Sequence, residues 1–528
     1  MVSTFSVVLA ALLSFTCPLV LAKPTPPVDY AAKCTALPTT LKLANTSIVG
    51  ATYITASTNV STPGSCVSVA PISSAPLCRL QFITNTSSSS SFYAEAWLPD
   101  VWFGRFLGTG NAQLGGCVDY TVMNDGLTNH FAIIGTNNGH DGPTGRPFLN
   151  NPEVVIDFAW RAVHLEAVLG KQIVQSYYGR APVKSYFQGC STGGRQGMQS
   201  ALKFPADFDG IVAGAPATDW NNLQGWAGML SHYAGAPIGA SSPSFLSTAD
   251  WALVSAEGLK QCDALDGLVD GIISDPMDCK FRTEALLCAG AKTTTCLTAA
   301  QVQTVKNVYA PLVDEKGKLL YPGYDIGAEA DALAPLVIGG TSFFSFAADW
   351  QRYAILNVTD YDFTNFSVAD VKRFDQINPG GIATFSGDMS AFRKRGGKLL
   401  TFHGRRDPLI ASSNSARFYD LVAKTLKTPS IDDFYRYFPI PGMGHCTRGI
   451  TGLPTAFGQG ALVGTNRVNN TSHNVLLALV DWVEKGKAPD TLTGTSLTDL
   501  AVQRTYCRYP QKSVWNAKKA VWECEECD

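Results

Sequence analysis

Residues 184–202 read Lys-Ser-Tyr-Phe-Gln-Gly-Cys-Ser-Thr-Gly-Gly-Arg-Gln-Gly-Met-Gln-Ser-Ala-Leu, with Gly189-Cys190-Ser191-Thr192-Gly193 at their centre. Lys184 to Gln188 predicts a short strand and Arg195 to Leu202 a helix. A turn between them that lifts a serine hydroxyl clear of the backbone needs small residues on both sides, because side chains there would strike the neighbouring elements. Ser191 is therefore a candidate nucleophile. A chain with 48 glycines also produces Gly-x-Ser-x-Gly by chance, so the surrounding sequence has to decide.

Upstream, Phe92 to Pro99, Arg105 to Leu107 and Phe131 to Thr136 read as strands, the second running into Gly108-Thr109-Gly110-Asn111 and the third into Asn137-Asn138-Gly139-His140-Asp141-Gly142. Asn151, Pro152 and Glu153 announce a long helix, as cap, first position and first-turn acid. Downstream, Gly210 to Ala215 is another apolar strand. Strand and helix thus alternate through the region, which predicts an α/β fold with a mostly parallel sheet. From about residue 217 to 394 the alternation dissolves into Trp-rich, loop-rich sequence, and it resumes at Gly396-Gly397-Lys398-Leu399-Leu400. The interruption reads as an inserted lid, between a first part of the catalytic domain over 23–216 and a second over 395–528. Before residue 92 the short apolar runs at Ser47–Val49 and Cys78–Ile83 read as strands.

The chain has 528 residues, 41 basic and 43 acidic, with 45% apolar and 10% aromatic residues. No block of like charge suggests nucleic acid or an anionic membrane as partner. Residues 4–22 are an apolar run ending with Val20 and Ala22 at the small-residue places of a cleavage site, so 1–22 is expected to be a signal peptide. Sequons begin at Asn45, Asn59, Asn85, Asn357, Asn365, Asn469 and Asn470, consistent with a secreted glycoprotein. Of fourteen cysteines, removal of Cys17 leaves thirteen, which predicts six bridges and one thiol over.

A serine hydroxyl needs a base within hydrogen-bond reach and a third group to hold that base in one tautomer. In α/β hydrolases the order along the chain is serine, acid, histidine. His445, in Gly442-Met443-Gly444-His445-Cys446, and Asp407, in the loop after the resumed strand, fit that order. His403 is expected to brace the acid loop; Asp407 has a second reading as a helix cap. His140 and Asp141 form either a second catalytic pair or a turn. Cys190 precedes the serine and Cys446 follows the histidine, so a bridge between them would fix nucleophile to base. The oxyanion donors are expected at Thr192, directly after the nucleophile, and at Gly110 or the Gly115-Gly116 segment, with Gly110 favoured. Asp263, Asp266 and Asp270, with carbonyls at Leu268 and Ile272, either cage a hard cation such as Ca²⁺ or form exposed Asp-Gly turns.

Taken together, Cys190-Ser191, Asp407 and His445-Cys446 resemble the paired arrangement of the fungal tannase and feruloyl esterase family. The likeness extends to Gly104–Asn111, Gly139–Gly142, Gly189–Gly197 and Gly396–Leu400. The resemblance implies an α/β-hydrolase core with a large lid, and a structural Ca²⁺ held by Asp263, Asp266, Leu268, Asp270 and Ile272. It implies the bridges Cys34–Cys78, Cys66–Cys117, Cys190–Cys446, Cys262–Cys279, Cys288–Cys296 and Cys507 with a C-terminal cysteine, Cys524 matching more closely than Cys527. The expected activity is a secreted serine esterase acting on feruloyl and related esters of plant cell-wall polysaccharide. The alternatives are a tannase or a non-catalytic carbohydrate- or phenol-binding protein on the same fold.

Overall fold

The computed structural model describes residues 1, 28–62, 71–447, 452–459 and 468–526. The expected signal peptide, Cys66 and Cys527 lie outside the described residues.

A nine-stranded sheet forms the centre. In chain order its first seven strands are β1 (Thr46–Ile54), β2 (Leu77–Asn85), β3 (Ser91–Pro99), β4 (Arg105–Thr109), β5 (Ala132–Thr136), β6 (Lys184–Cys190) and β7 (Gly210–Gly214). The insertion after β7 carries only a short hairpin, β8 (Leu312–Val313) with β9 (Leu319–Tyr321); the sheet then ends with β10 (Lys398–Gly404) and β11 (Tyr435–Ile440). Strand order is β1-β2-β3-β5-β4-β6-β7-β10-β11. Pairing is antiparallel from β1 to β5 and parallel from β5 through β4 to β11. The parallel strands read as continuous apolar runs because helices cover both faces; β5 and β7 are buried at every position.

The helix expected from Asn151 begins at Pro152 but is not uniform: Pro152–Ile156 is α-helical, Asp157–Arg161 is a π turn, and Ala162–Tyr178 is α-helical up to Gly179 at φ 75°. The Asn151 side chain makes no capping bond; its amide donates to the Pro147 and Leu149 carbonyls. Arg195 donates to the Phe158 and Ala159 carbonyls of the π turn, at 3.0 and 2.8 Å. Ahead of the first expected strand, a helix spans Tyr30–Thr40, capped by Asp29.

Between β7 and β10 the chain is mainly helical, with Trp220–Tyr233 and Thr248–Cys262 the longest helices. It has an apolar core of its own, in which Trp220, Trp226, Trp350 and Tyr321 are fully buried. This cluster includes Leu114, Phe148, Phe158, Ile410 and Ala411 from the sheet-bearing part of the chain, so the insertion is seated on the C-terminal edge of the sheet. Cys34–Cys78, Cys190–Cys446, Cys262–Cys279, Cys288–Cys296 and Cys507–Cys524 are disulfides. Cys117 is also bridged.

Candidate active site

The turn after β6 is made by glycine contacts that no side chain could join. A Cβ on Gly189 would lie 2.7 Å from the Gly193 carbonyl oxygen, and one on Gly194 would lie 2.3 Å from the Gly214 carbonyl oxygen. Ser191 is left at φ 63°, ψ −121°, a strained conformation for a non-glycine residue that the surrounding structure has to hold. Its N–H donates to the Gly214 carbonyl at 3.0 Å and its carbonyl accepts from Ala217 at 3.1 Å, so both backbone groups of the serine are tied to the end of β7 and the segment that follows it.

Asp407 sits in the loop after β10 and His445 in the loop after β11. His445 Nδ1 lies 2.7 Å from Asp407 Oδ2. Asp407 is wholly buried, and its other oxygen accepts the N–H groups of Leu409 and Ile410 at 2.8 and 3.1 Å. Burial alone would push this carboxyl up. The charge of His445 and the hydrogen bonds from His403 and His445 outweigh burial and hold it well below the usual carboxylate range. His403 Nε2 stands 3.1 Å from Asp407 Oδ2 and 3.2 Å from the Ile410 carbonyl, both acceptors, so Nε2 carries the proton. Its Nδ1 then accepts from the Ser415 hydroxyl at 2.7 Å. His403 thus braces the acid, and Asp407 serves its own loop rather than capping the helix Ser413–Leu426.

Ser191 and His445 line one cavity of about 310 Å³. Between them the Cys190–Cys446 bridge holds the two loops with Cα atoms 5.9 Å apart across a sequence separation of 256 residues. His140 and Asp141 line no part of that cavity: His140 is edge-on to Phe148 at 5.1 Å, and burial lowers its pKa to about 4. A wider groove of about 1490 Å³, between the insertion and the C-terminal hairpins, is lined by neither Ser191, Asp407 nor His445 and is distinct from the cavity that Ser191 and His445 share.

The expected oxyanion donors divide. Thr192 opens the helix Thr192–Lys203 beside Ser191, and its hydroxyl donates to the Gln113 carbonyl, fastening the facing loop to the serine turn. The Gly110 assignment is corrected, because its N–H donates to the Gln188 carbonyl at 3.0 Å. Gly110 is glycine for packing: a Cβ there would lie 2.5 Å from the Gly193 Cα. Gly115 and Gly116 likewise give their N–H groups to the Ala112 and Gly142 carbonyls. The residues of this loop that face the cavity are Asn111, Ala112 and Gln113, and the Asn111 N–H is taken by Gln196 Oε1 at 2.9 Å. Ala112 and Gln113 are therefore the positions from which a second donor could reach a substrate.

The acidic loop of the insertion turns inward on itself. The Asp263 carboxylate accepts from Asp270 and Gly271 N–H groups at 3.1–3.2 Å, Asp266 from Leu268 at 3.0 Å, and Asp270 from Ile272 at 3.1 Å. Among the described residues no three His, Cys, Asp or Glu side chains stand as a ready-made metal cage. The Asp270 carboxyl is nevertheless pushed up, by burial first and then by Asp266 and Asp263, against the opposing charge of Arg504. Crowded carboxylates with an all-oxygen donor set fit the chemistry of Ca²⁺.

Sequence reading did not find the wall that the insertion gives this cavity: Trp220, Leu223, Gln224, Phe344, Phe346 and Leu336. Four of the cavity residues, Trp220, Leu223, Gln224 and Ala227, recur at helical spacing, which was the available signal.

A parallel sheet with a serine turn after β6 and an acid and a histidine after its last two strands defines an α/β hydrolase. A family model described as tannase and feruloyl esterase matches residues 83–527. The chain belongs to that family, and it is a carboxylic ester hydrolase. It is 42% identical over 494 residues to a probable feruloyl esterase B-2 of Aspergillus flavus, covering 91% of this chain and 93% of the relative. It is 40% identical to feruloyl esterase B of Aspergillus oryzae, with a TM-score of 0.88 over 94% of this chain and all of the other. Tannin acyl hydrolase from Aspergillus niger shares the fold at a TM-score of 0.74 and 20% identity, covering 95% of each chain.

Proposed function

We propose that the protein is a secreted serine esterase that hydrolyses feruloyl and related hydroxycinnamoyl esters of plant cell-wall polysaccharide. The observation that carries this reading is one cavity holding Ser191 and His445, with Asp407 fixed 2.7 Å behind the histidine and an apolar, aromatic wall opposite. Ser191 attacks the ester carbonyl while His445 takes its proton. The proton then passes to the departing sugar oxygen, and water releases the acyl group by the same steps. Asp407 keeps His445 in the tautomer with Nδ1–H. The Thr192 N–H, with Ala112 or Gln113 opposite, receives the oxyanion. The phenolic ring lies against the lid wall.

Rates on methyl ferulate, methyl caffeate and methyl gallate, measured side by side, test the substrate class. Methyl ferulate is expected to be the fastest. A faster methyl gallate would make the protein a tannase, and no turnover of any ester would leave the non-catalytic reading. Export is supported by the disulfides and by all seven sequon asparagines being exposed. No helix among the described residues is long and apolar enough to cross a membrane.

The proposal includes a structural Ca²⁺ held by Asp263, Asp266 and Asp270 with the Leu268 and Ile272 carbonyls. Bound there, it would neutralise the crowded acids beside Arg504. Saturating Ca²⁺ at about a hundred times its dissociation constant adds about 2.7 kcal/mol. Chelation should therefore lower Tm by roughly 2–3 °C, reversed by Ca²⁺. Protein prepared without chelators that contains no calcium, and whose Tm ignores Ca²⁺, would rule the ion out.

A further inference from the structure

The helix Trp220–Tyr233 starts beside the nucleophile, just after Ala217, whose N–H meets the Ser191 carbonyl. It runs along the cavity, and at 1.5 Å rise per residue Gln224 lies about 6 Å further along the axis than Trp220. The insertion's other contributions to the cavity lining are apolar or aromatic, among them Leu223, Ala227, Leu333, Leu336, Phe344 and Phe346. Gln224 itself is only 5% exposed, and its Oε1 has no hydrogen-bond partner. Gln351, packed behind the helix, gives its Nε2 to the Gln224 backbone carbonyl at 3.4 Å and leaves the side-chain oxygen unpaired. A buried amide oxygen in an apolar wall carries a standing cost in stability, and a donor on the cavity's occupant would remove it.

The hydroxycinnamoyl group is rigid and apolar along its length, and carries a hydroxyl donor at the ring end remote from the ester carbonyl. The insertion's side of the cavity, apolar and aromatic apart from Gln224, is complementary to that pattern; the cavity's other unpaired acceptor, Gln188 Oε1, sits on β6 three residues before the nucleophile. We infer that Gln224 is the specificity-determining residue of the acyl pocket, accepting a hydrogen bond from the ring hydroxyl of a phenolic acyl group. Acyl groups that lack the hydroxyl, or carry it as a methyl ether, leave Oε1 unpaired and lose the difference. This inference rests on the esterase reading above.

The test uses three substrates that differ only at the para position: methyl p-coumarate, methyl cinnamate and methyl 4-methoxycinnamate. The native enzyme should show kcat/KM for the hydroxylated ester about tenfold to a hundredfold above either of the others. Gln224→Leu and Gln224→Met should each bring the three values within about threefold of one another, mainly by lowering the rate on methyl p-coumarate. Tm of each variant shows whether it is folded. A native enzyme that does not distinguish methyl p-coumarate from methyl cinnamate overturns the inference even if no variant folds. So does a folded variant that keeps the native preference. Failure of the esterase reading is a different result: the native enzyme then hydrolyses none of these esters.

Discussion

Replacing Ser191 with alanine should reduce turnover of methyl ferulate by about a millionfold while the protein remains folded. The serine contributes one atom that alanine lacks, and in the proposed mechanism that atom forms the acyl bond. The strain of the turn is the same for both residues, because φ 63° and ψ −121° are imposed by backbone hydrogen bonds to Gly214 and Ala217. The Cys190–Cys446 bridge flanks the position and does not involve the side chain. Tm should therefore stay close to native, and the residual rate should be that of bound ester and solvent in a preorganised oxyanion site. A variant retaining more than about a hundredth of native kcat would show that a different group forms the bond, since losing the nucleophile costs several orders of magnitude.

The serine turn was legible in the sequence because its requirements are local. Gly189, Gly193 and Gly194 are needed where backbones touch, and three glycines in six residues signal such contact directly. Pairing Cys190 with Cys446 was legible for another reason: each cysteine adjoins a residue of fixed chemical role, so a distance across 256 residues could be read from two dipeptides. Gly110 shows the limit of that logic. Its lack of a side chain was visible, but whether the space serves a ligand or a neighbouring backbone depends on where Gly193 lies, which is a tertiary fact. The wall that the insertion gives the cavity was hidden by the same dependence. Trp220, Leu223 and Ala227 look like any buried helical face, and only the fold shows that this face borders an opening at Ser191. The π turn at Asp157–Arg161 was equally hidden, because its exposed carbonyls are satisfied by Arg195 from another element.

Asp407→Asn should lower kcat by about 10⁴-fold. Four donors surround the carboxylate: His445 and His403 on Oδ2, and the Leu409 and Ile410 N–H groups on Oδ1. An amide offers one acceptor atom. If its oxygen stays with Leu409 and Ile410, its NH₂ faces His445 and forces the ring to accept at Nδ1. The proton then sits on Nε2, where the ring has to receive the serine proton, and the base is lost. If the amide is reversed, His445 keeps its tautomer but the NH₂ opposes two backbone N–H groups, so the loop that carries the residue is disrupted. The pH dependence has a definite sign. A carboxyl whose pKa is depressed in the fold adds stability above its unfolded value of about 3.9, and that contribution disappears as pH falls through the folded value. Asp407 therefore stays ionised over the working range, and the acid limb of the rate profile does not come from it. The stability gap between native enzyme and variant should be full at pH 7 and narrow below about pH 4. kcat with methyl ferulate and Tm at pH 7 and pH 3 measure both effects. An asparagine variant with more than about a tenth of native kcat would show that His445 needs no carboxylate to hold its tautomer, and the assigned role of Asp407 would fall.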